Sequence, residues 1–168
     1  EKARQALPRE LPYKDAVYNV SRVGLLPAAM NPVVLAQAAQ QGKSGVAAAP
    51  AQDADTCACS GGTRESAFAD ELAAAQAQSN ALLFTATQDK LHQPYRGALM
   101  PPSTELIALF RSKGYAAAVS GAGPCVLVLH YGNAREAIDQ IASEQLASGH
   151  WRVLHLPINT AGVEIERR

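Results

Sequence analysis

Two arginines are the residues of this sequence whose type and setting could bind an anionic ligand. Arg4 lies in "EKARQALPRELP" before a Leu-Pro break, and Arg96 lies in "HQPYRGALMP", between Pro94 and Gly97. A guanidinium is a planar donor that can hold a carboxylate or a phosphate through two parallel hydrogen bonds. A single arginine is more often a solvated surface residue, so the spacing alone leaves both interpretations open.

His92 stands four residues before Arg96. We expect the helix that precedes it to stop at Gln93, because Pro94 disfavours the α conformation in the residue before it. His92 would then lie at a helix C-terminus. There, a charge-compensating cap is a more typical role for a histidine than a ligand contact.

Gly121 and Gly123 interrupt "VSGAGPCVLVL" between two short valine-rich runs. Glycine permits a positive φ and lets another backbone or a ligand approach closely. The N–H groups of such a loop can bind an anion, although a tight connection between two strands explains the same pattern. A dinucleotide fingerprint is excluded because a strand, and not a helix, follows the glycines.

Composition narrows the classes of partner. Fifteen basic and fifteen acidic residues give no net charge, so we expect neither a nucleic acid nor a membrane partner. Cys57 and Cys59 stand in a tract too poor in other ligands for zinc, so no metal site is expected. The chain begins at Glu1 without a charged and apolar leader, which favours a cytoplasmic piece of a longer chain with reduced thiols.

Helical patterns dominate the first half of the chain. Residues 13–26 predict a helix that Pro27 kinks or ends, and residues 31–40 predict a second helix capped by Asn31. Residues 41–63 are rich in small residues and predict a mobile loop. The long helix-forming stretch that follows is expected to run to Gln93. The apolar stripe of the first helix consists of Ala16, Val17, Val20, Val23 and Gly24.

Shorter elements follow in the order α-β-β-α-β-β. Ser103 is the expected N-cap of a helix that ends at Gly114, and residues 116–120 and 125–130 are expected strands. A helix over 133–149 with Asn133 as its cap, and strands at 151–158 and 162–166, complete the pattern. This order predicts one α+β domain, with helices packed on one face of a largely antiparallel sheet.

Three stretches together carry a resemblance to a known family. They are "KARQALPRELPYKDAVYNVSRVGLL" (2–26), "QDKLHQPYRGALMP" (88–101) and "VSGAGPCVLVL" (119–129). They resemble the C-terminal half of the homoserine kinases, in the superfamily of galactokinase, homoserine kinase, mevalonate kinase and phosphomevalonate kinase. The resemblance covers residues 1–40 and 80–168. Residues 41 to about 78 match poorly and look like an insertion, with 41–65 expected to be disordered.

The resemblance implies a ferredoxin-like C-terminal substrate-binding domain over residues 1–168, from an enzyme that transfers the γ-phosphoryl group of ATP to L-homoserine in threonine biosynthesis. Arg4 and Arg96 match the family's substrate-binding arginines. His92 and Pro94 would orient the turn that aims Arg96, and the loop of Gly121 and Gly123 would close over the active site.

The resemblance also implies what this chain lacks. The family's nucleotide-binding loop and its magnesium-binding acidic residue belong to the N-terminal half, and no P-x-x-x-G-L-G-S-S-A stretch occurs in the 168 residues. ATP and Mg²⁺ would therefore bind the full-length enzyme but not, tightly, this fragment, which is expected to be inactive and to hold no catalytic residue. Its expected partners are L-homoserine and the N-terminal half, and homodimerisation is left open.

Two features of the sequence depart from the family's pattern. Pro27 interrupts a helix that is usually continuous, and Ala122 replaces the usual serine of the glycine loop.

Two other functions are compatible with the sequence. A non-catalytic, amino-acid-binding regulatory module would also suit an α+β domain with arginines and no nucleotide loop. A non-catalytic homologue that acts only through protein interaction is the remaining alternative.

Overall fold

A computed structural model of the chain describes residues 2–33, 61–157 and 165, with only the backbone of residues 61–65 described. The chain divides into two compact units, residues 1–132 and 133–168. The expectation of a single domain over residues 1–168 stays a prediction.

The first unit holds most of the regular elements. Its helices are α1 (Lys2–Gln5), α2 (Tyr13–Val23), α3 (Leu26–Ala29), α4 (Gly61–Ala86), α5 (Gln93–Arg96) and α6 (Pro101–Ser112), with a 3-10 turn at Gly97–Leu99. Its strands are β1 (Ala116–Val119) and β2 (Val126–Leu129), and the second unit holds α7 (Arg135–Ile141) and α8 (Ser143–Ala147).

The two predicted strands around the glycines form a hairpin. β1 and β2 pair antiparallel, with Ala116 opposite Leu129 and Val119 opposite Val126. Beyond β2, the Asn80 side chain accepts a hydrogen bond from the Tyr131 N–H at 2.8 Å and donates one to the Tyr131 carbonyl at 3.1 Å. The α+β class is confirmed, although only two strands occur in the described part of the chain.

The core of the first unit forms where α3 and α4 meet the hairpin. Ala29, Leu83 and Ala116 are almost completely buried in one cluster, and Phe84 and Leu129 pack against it. Small residues at two of these three positions let α3 and β1 approach α4 closely, so the alanine-rich composition supports tight packing of short elements.

The spacing of Leu106, Ile107, Leu109 and Phe110 predicts a buried stripe on α6, and the stripe is buried except at Leu109, which is half-buried. Leu106, Ile107 and Phe110 are all at most 9% exposed, and Gly114 follows the helix with a φ of +85°. Ser103 is not the N-cap that the sequence suggested, since α6 already begins at Pro101 and Met100 occupies the cap position. Pro is favourable in the first helical turn because its missing N–H has no partner there in any case.

The first predicted helix ends earlier than expected. α2 stops at Val23, and the chain continues through Gly24 and Leu25 into α3, where Pro27 stands in the first turn. Pro27 therefore begins a helix, a position that suits its fixed φ.

The long helix α4 ends at Ala86, so the prediction that it continues to Gln93 was wrong. The Thr87 hydroxyl donates to the Leu83 carbonyl at 2.8 Å, and Asp89 binds the backbone N–H groups that would otherwise extend the helix. Short polar side chains compete with helical hydrogen bonds in this way. His92 consequently precedes α5 and does not end the long helix, which removes its expected role as a C-terminal cap.

The second unit differs from its predicted pattern. Ala134, not Asn133, occupies the N-cap position of α7, and the helix is interrupted at Ala142 before α8 begins. Residues 151–157 form no strand, so that prediction was wrong for the described residues. His155 Nε2 lies 3.0 Å from Asp139 Oδ1, which ties this segment to α7.

Three predictions fall wholly or largely outside the described residues. They are the helix over 31–40, the insertion over 41–65 except for its last five backbone residues in α4, and the strand over 162–166. Within the ranges that the structure describes, every helix is too short or too polar to cross a bilayer.

Candidate functional site

Asp89 organises the turn that leads into α5. Its carboxylate accepts hydrogen bonds from the backbone N–H groups of Leu91, His92 and Gln93 at 2.8, 3.0 and 2.7 Å, and from the Asn19 amide at 2.6 Å. These donors include the first N–H group of α5, that of Gln93, which has no partner within the helix. Asp89 therefore fixes where α5 begins and how it is directed.

The environment of Asp89 favours the ionised carboxylate. Burial raises the pKa of Asp89, but the hydrogen bonds from Gln93, Asn19, Leu91 and His92 lower it by more in total. The net pKa lies below the ordinary value of 3.8. Asp89 thus remains charged at neutral pH and acts as a strong acceptor for this turn.

The short helix α5 directs two side chains toward separate elements. Gln93 Oε1 accepts a hydrogen bond from the Val119 N–H at 3.2 Å, which attaches the start of α5 to β1. Arg96 Nε donates to the Ala3 carbonyl at 3.0 Å, and Arg96 Nη1 approaches the Gly121 carbonyl at 3.4 Å. Arg96 therefore joins α1, α5 and the loop that follows β1.

Arg4 and His92 lie beside this junction. Arg4 is exposed and is the residue next to Ala3, whose carbonyl Arg96 contacts. The His92 side chain is 51% exposed, with Nδ1 3.5 Å from Asp89 Oδ1, and the His92 carbonyl accepts the Arg96 N–H at 3.0 Å. His92 thus contacts Arg96 through its backbone, and its imidazole faces Asp89.

The glycine loop, residues 120–125, connects β1 to β2. Ser120 N–H donates to the Cys125 carbonyl at 2.8 Å, and Gly123 N–H donates to the Ser120 carbonyl at 3.1 Å. Gly121 and Gly123 have φ values of +62° and +83°, a region that favours glycine. A positive φ at both positions explains the spacing of the two glycines in the sequence.

Two residues at the start of α6, Met100 and Ser103, contact the glycine loop. The hydroxyl of buried Ser103 donates to the Pro124 carbonyl at 2.6 Å. A Cβ on Gly123 would lie 2.5 Å from Met100 Sδ, so the methionine packs directly on the glycine backbone. Gly121 has nothing within 4 Å of the corresponding position, so this side of the loop is open.

Arg111 connects α6 to α4 and to β1. Its guanidinium donates to the carbonyls of Phe84 and Ala117 at 2.6 and 3.0 Å and to the Thr87 hydroxyl at 3.1 Å, and it lies 4.2 Å from the centre of the Phe84 ring. Burial lowers the pKa of Arg111, while the nearby Tyr18 partly opposes this. The charge satisfies the Phe84 carbonyl near the C-terminal end of α4, where a cation is favourable.

A separate open cleft lies beside α5. Its volume is about 390 Å³, and its lining consists of Lys14, Asp15, Lys90, Pro94 and Tyr95. Lys90 Nζ is 3.8 Å from Asp15 Oδ1, so the cleft contains a cation and an anion already paired. Neither Arg4 nor Arg96 lines it.

Metal binding has little support in the described chain. Among residues 2–33, 61–157 and 165, no group of three or more His, Cys, Asp or Glu side chains could hold an ion. Cys125 is exposed at the end of the glycine loop, and Cys57 and Cys59 lie outside the described residues.

Sequence reasoning missed Asp89, Arg111 and the hydroxyl of Ser103. A signal for Asp89 did exist, because an aspartate shortly before a proline is typical of a helix N-terminus. Arg111 and Ser103 contact residues that are distant in the chain, and no local pattern indicates those contacts.

Comparison with known proteins finds a family match and several relatives of similar sequence. Residues 66–147 match the family described as GHMP kinases C terminal. The chain is 32% identical over 166 residues to the homoserine kinase of Clavibacter michiganensis subsp. michiganensis and 33% identical over 167 residues to that of Leifsonia xyli subsp. xyli. Both alignments cover 98% of this chain and 37% of the relative.

A shorter alignment is more similar. The homoserine kinase of Corynebacterium aurimucosum is 45% identical over 86 residues, which are 51% of this chain and 26% of that relative. The chain thus spans little more than a third of the length of the relatives that match nearly all of it. Residues 66–147 are a GHMP kinases C-terminal domain, in a chain related over nearly its whole length to the homoserine kinases.

Proposed function

We propose that this chain is the substrate-binding part of a homoserine kinase, which transfers the γ-phosphoryl group of ATP to the side-chain hydroxyl of L-homoserine and forms O-phospho-L-homoserine. Its similarity to homoserine kinases over 98% of its length supports the proposal. The observation that carries it is the pair of contacts from Arg96 to Ala3 and Gly121, since they unite the three stretches that resemble the family.

In this proposal, Arg4 and Arg96 bind the carboxylate of homoserine. The two backbone contacts use the Nε–H and one Nη1–H of Arg96, and three of its five N–H donors, including both of Nη2, remain besides these. A bidentate guanidinium is the best protein donor for a carboxylate. Arg4, exposed beside Ala3, supplies a second cation at the same junction.

The remaining residues position this pair. The His92 carbonyl holds the Arg96 N–H, and Asp89 holds the turn that contains His92. Gly121 lets the loop backbone approach the ligand without side-chain obstruction, and Gly123 lets Met100 pack on the loop. Phosphoryl transfer depends chiefly on positioning and charge stabilisation, so this part contributes recognition and alignment of the hydroxyl.

The catalytic components belong, in this proposal, to the part of the enzyme that the sequence does not include. A phosphate-binding loop and a magnesium-binding acidic residue there hold ATP and Mg²⁺, and no catalytic residue lies in these 168 residues. We expect the isolated chain to be inactive. The whole enzyme would act in the cytoplasm, in the biosynthesis of threonine.

A chimera tests the proposal. The 168 residues replace the matched 37% of the Leifsonia xyli homoserine kinase, and ATP-dependent phosphorylation of L-homoserine is measured by coupled ADP release. We expect activity from the chimera and none from the isolated chain. Phosphorylation by the purified 168-residue chain alone would contradict the inactive-fragment part of the proposal, and a folded but inactive chimera would contradict the kinase part.

Arginine variants of the chimera test the site. Arg4→Ala should lower kcat/KM by the equivalent of about 2–4 kcal/mol, roughly 30- to 1,000-fold, as for a lost partner of a bound charge. Arg9→Ala is the matched control, because Arg9 is also exposed and lies five residues away. Equal kinetics for the two variants would exclude Arg4. Homoserine binding by the isolated chain without activity in the chimera would favour a regulatory module.

A further inference from the structure

The amphipathic helix α2 turns its polar face toward the rest of the described chain, which is the reverse of the usual arrangement. Its polar face, formed by Asp15, Tyr18, Asn19 and Arg22, faces the turn after α4. Its apolar face points away from the described chain: Tyr13 is 85%, Val17 48%, Val20 73% and Val23 61% exposed. A helix normally buries its apolar stripe and exposes its polar one.

Specific contacts fix this orientation. Asn19 Nδ2 donates to Asp89 Oδ1 at 2.6 Å, and Asn19 Oδ1 accepts the Lys90 N–H at 2.9 Å. The Tyr18 hydroxyl donates to Gln88 Oε1, and Lys90 Nζ lies 4.3 Å from the centre of the Tyr18 ring. Rotating α2 to bury the valines would break all of these contacts.

Arg22 makes contacts of the same kinds with Gln88 and with the Tyr18 ring. Arg22 Nε is 3.4 Å from Gln88 Oε1, and the guanidinium carbon of Arg22 lies 4.2 Å from the centre of the Tyr18 ring. The polar face is thus engaged along two helical turns, and the exposure of the valines follows from it.

The exposed stripe, Tyr13, Val17, Val20 and Val23, requires a cover. Together these side chains leave on the order of 400 Å² open, which reaches the size at which an exposed apolar patch marks an interaction site. A stable interface between separate molecules buries about 800 Å² on each partner. The stripe is about half that size, so it suits a partner that is covalently tethered and therefore present at high effective concentration.

We propose that the exposed stripe of α2 docks onto the part of a homoserine kinase chain that lies outside the region matched here. This inference rests on the kinase relationship proposed above. Relatives that match 98% of this chain have nearly two thirds of their length beyond the match, enough for a second domain. The polar face of α2 also contacts the turn that holds Arg96, so this docking couples the second domain to the arginine site.

Thiol labelling tests the docking without reference to activity. Cys57, Cys59 and Cys125 are first replaced by serine, and Val20→Cys is then compared with Ser21→Cys, an exposed position of the same helix. In the isolated chain, both cysteines should react with a maleimide rapidly and at a rate independent of protein concentration. In the chimera with the Leifsonia xyli sequence, Val20→Cys should react at least about tenfold more slowly, whereas Ser21→Cys changes less.

Several outcomes would overturn the proposal. They are equal labelling of Val20→Cys in both proteins, protection in the isolated chain that is independent of concentration, and protection there that grows with concentration, which would indicate a second copy. Protection only on phosphatidylcholine vesicles would indicate a membrane surface. If the chimera does not fold, a cysteine at the aligned position of the intact Leifsonia enzyme gives the same measurement.

The experiment can refute the docking proposal and the proposed function separately. A chimera that phosphorylates homoserine but leaves Val20→Cys exposed would refute the docking alone. A chimera that protects Val20→Cys but has no activity would refute the kinase reaction and retain the docking. In a chimera that carries Val23→Cys as the labelled position, Val20→Leu should keep that cysteine protected and Val20→Asp should expose it, because the proposed contact requires apolar burial.

Discussion

Arg111 links α6 to α4 and β1 through three hydrogen bonds and a contact with the Phe84 ring, and Arg111→Met is the perturbation that tests its role. The substitution retains a long unbranched side chain that can lie on the Phe84 ring but removes every donor. It therefore leaves the carbonyls of Phe84 and Ala117 and the Thr87 hydroxyl without the partner that now lies 2.6–3.1 Å away.

The expected magnitude follows from these bonds. A hydrogen bond to a charged group contributes about 1.5–3 kcal/mol when buried, and Arg111 makes three, but it is only partly buried and water can replace part of the loss. We therefore expect a loss of about 3 kcal/mol in the free energy of unfolding. Arg111→Lys, which keeps the charge but not the fork of donors, should lose about half as much.

Urea unfolding followed by circular dichroism measures the effect, with the slope against urea checked for constancy. Arg135→Met is the control, because Arg135 is exposed at the start of α7 and should change stability by less than about 0.5 kcal/mol. A loss below about 1 kcal/mol in Arg111→Met, or equal losses in the two methionine variants, would refute the assigned role of Arg111.

Three further variants test the glycine loop and the Asp89 turn. Gly121→Ala and Gly123→Ala both place a Cβ at positive φ, at about 1 kcal/mol each, but only Gly123→Ala collides with Met100 and should lose about 1–3 kcal/mol more; equal melting temperatures would contradict this. Asp89→Asn should lose about 1 kcal/mol at pH 7. Because the folded-state pKa of Asp89 lies below 3.8, its contribution is complete above that pH and is lost as the pH falls through the folded-state pKa. Urea titrations at pH 7, 5 and 3 should therefore show the difference from the parent chain shrinking, and a constant difference would exclude this account.

Local patterns were sufficient for the hairpin and for α6. Valine-rich runs on both sides of two glycines predict strands with a tight turn, and β1 and β2 form within one or two residues of those runs. Leu106, Ile107 and Phe110 recur at helical spacing and are buried. In each case the information lies within a few residues of the chain, so single-sequence reasoning could find it.

Candidate site residues could be selected from the sequence only through family resemblance. The isolated patterns around Arg4 and Arg96 were more typical of surface arginines than of ligand-binding ones, and their contribution to substrate binding stays a prediction. What the structure adds is the contact of Arg96 with the backbone next to Arg4 and with Gly121. The two contacts span 93 and 25 residues of sequence, beyond the reach of any local rule.

The sequence by itself determined that α2, most of α4 and α6 are helical, where the glycine turn lies and that α2 has one apolar side. Tertiary structure decided where α4 ends, which partner Ser103 binds and which way α2 faces. The physical reason is the same in each case. Helix propensity and apolar spacing act over one or two turns, whereas the hydrogen bonds of Asp89, Ser103 and Asn19 join elements about 20 to 70 residues apart and outweigh the local preference.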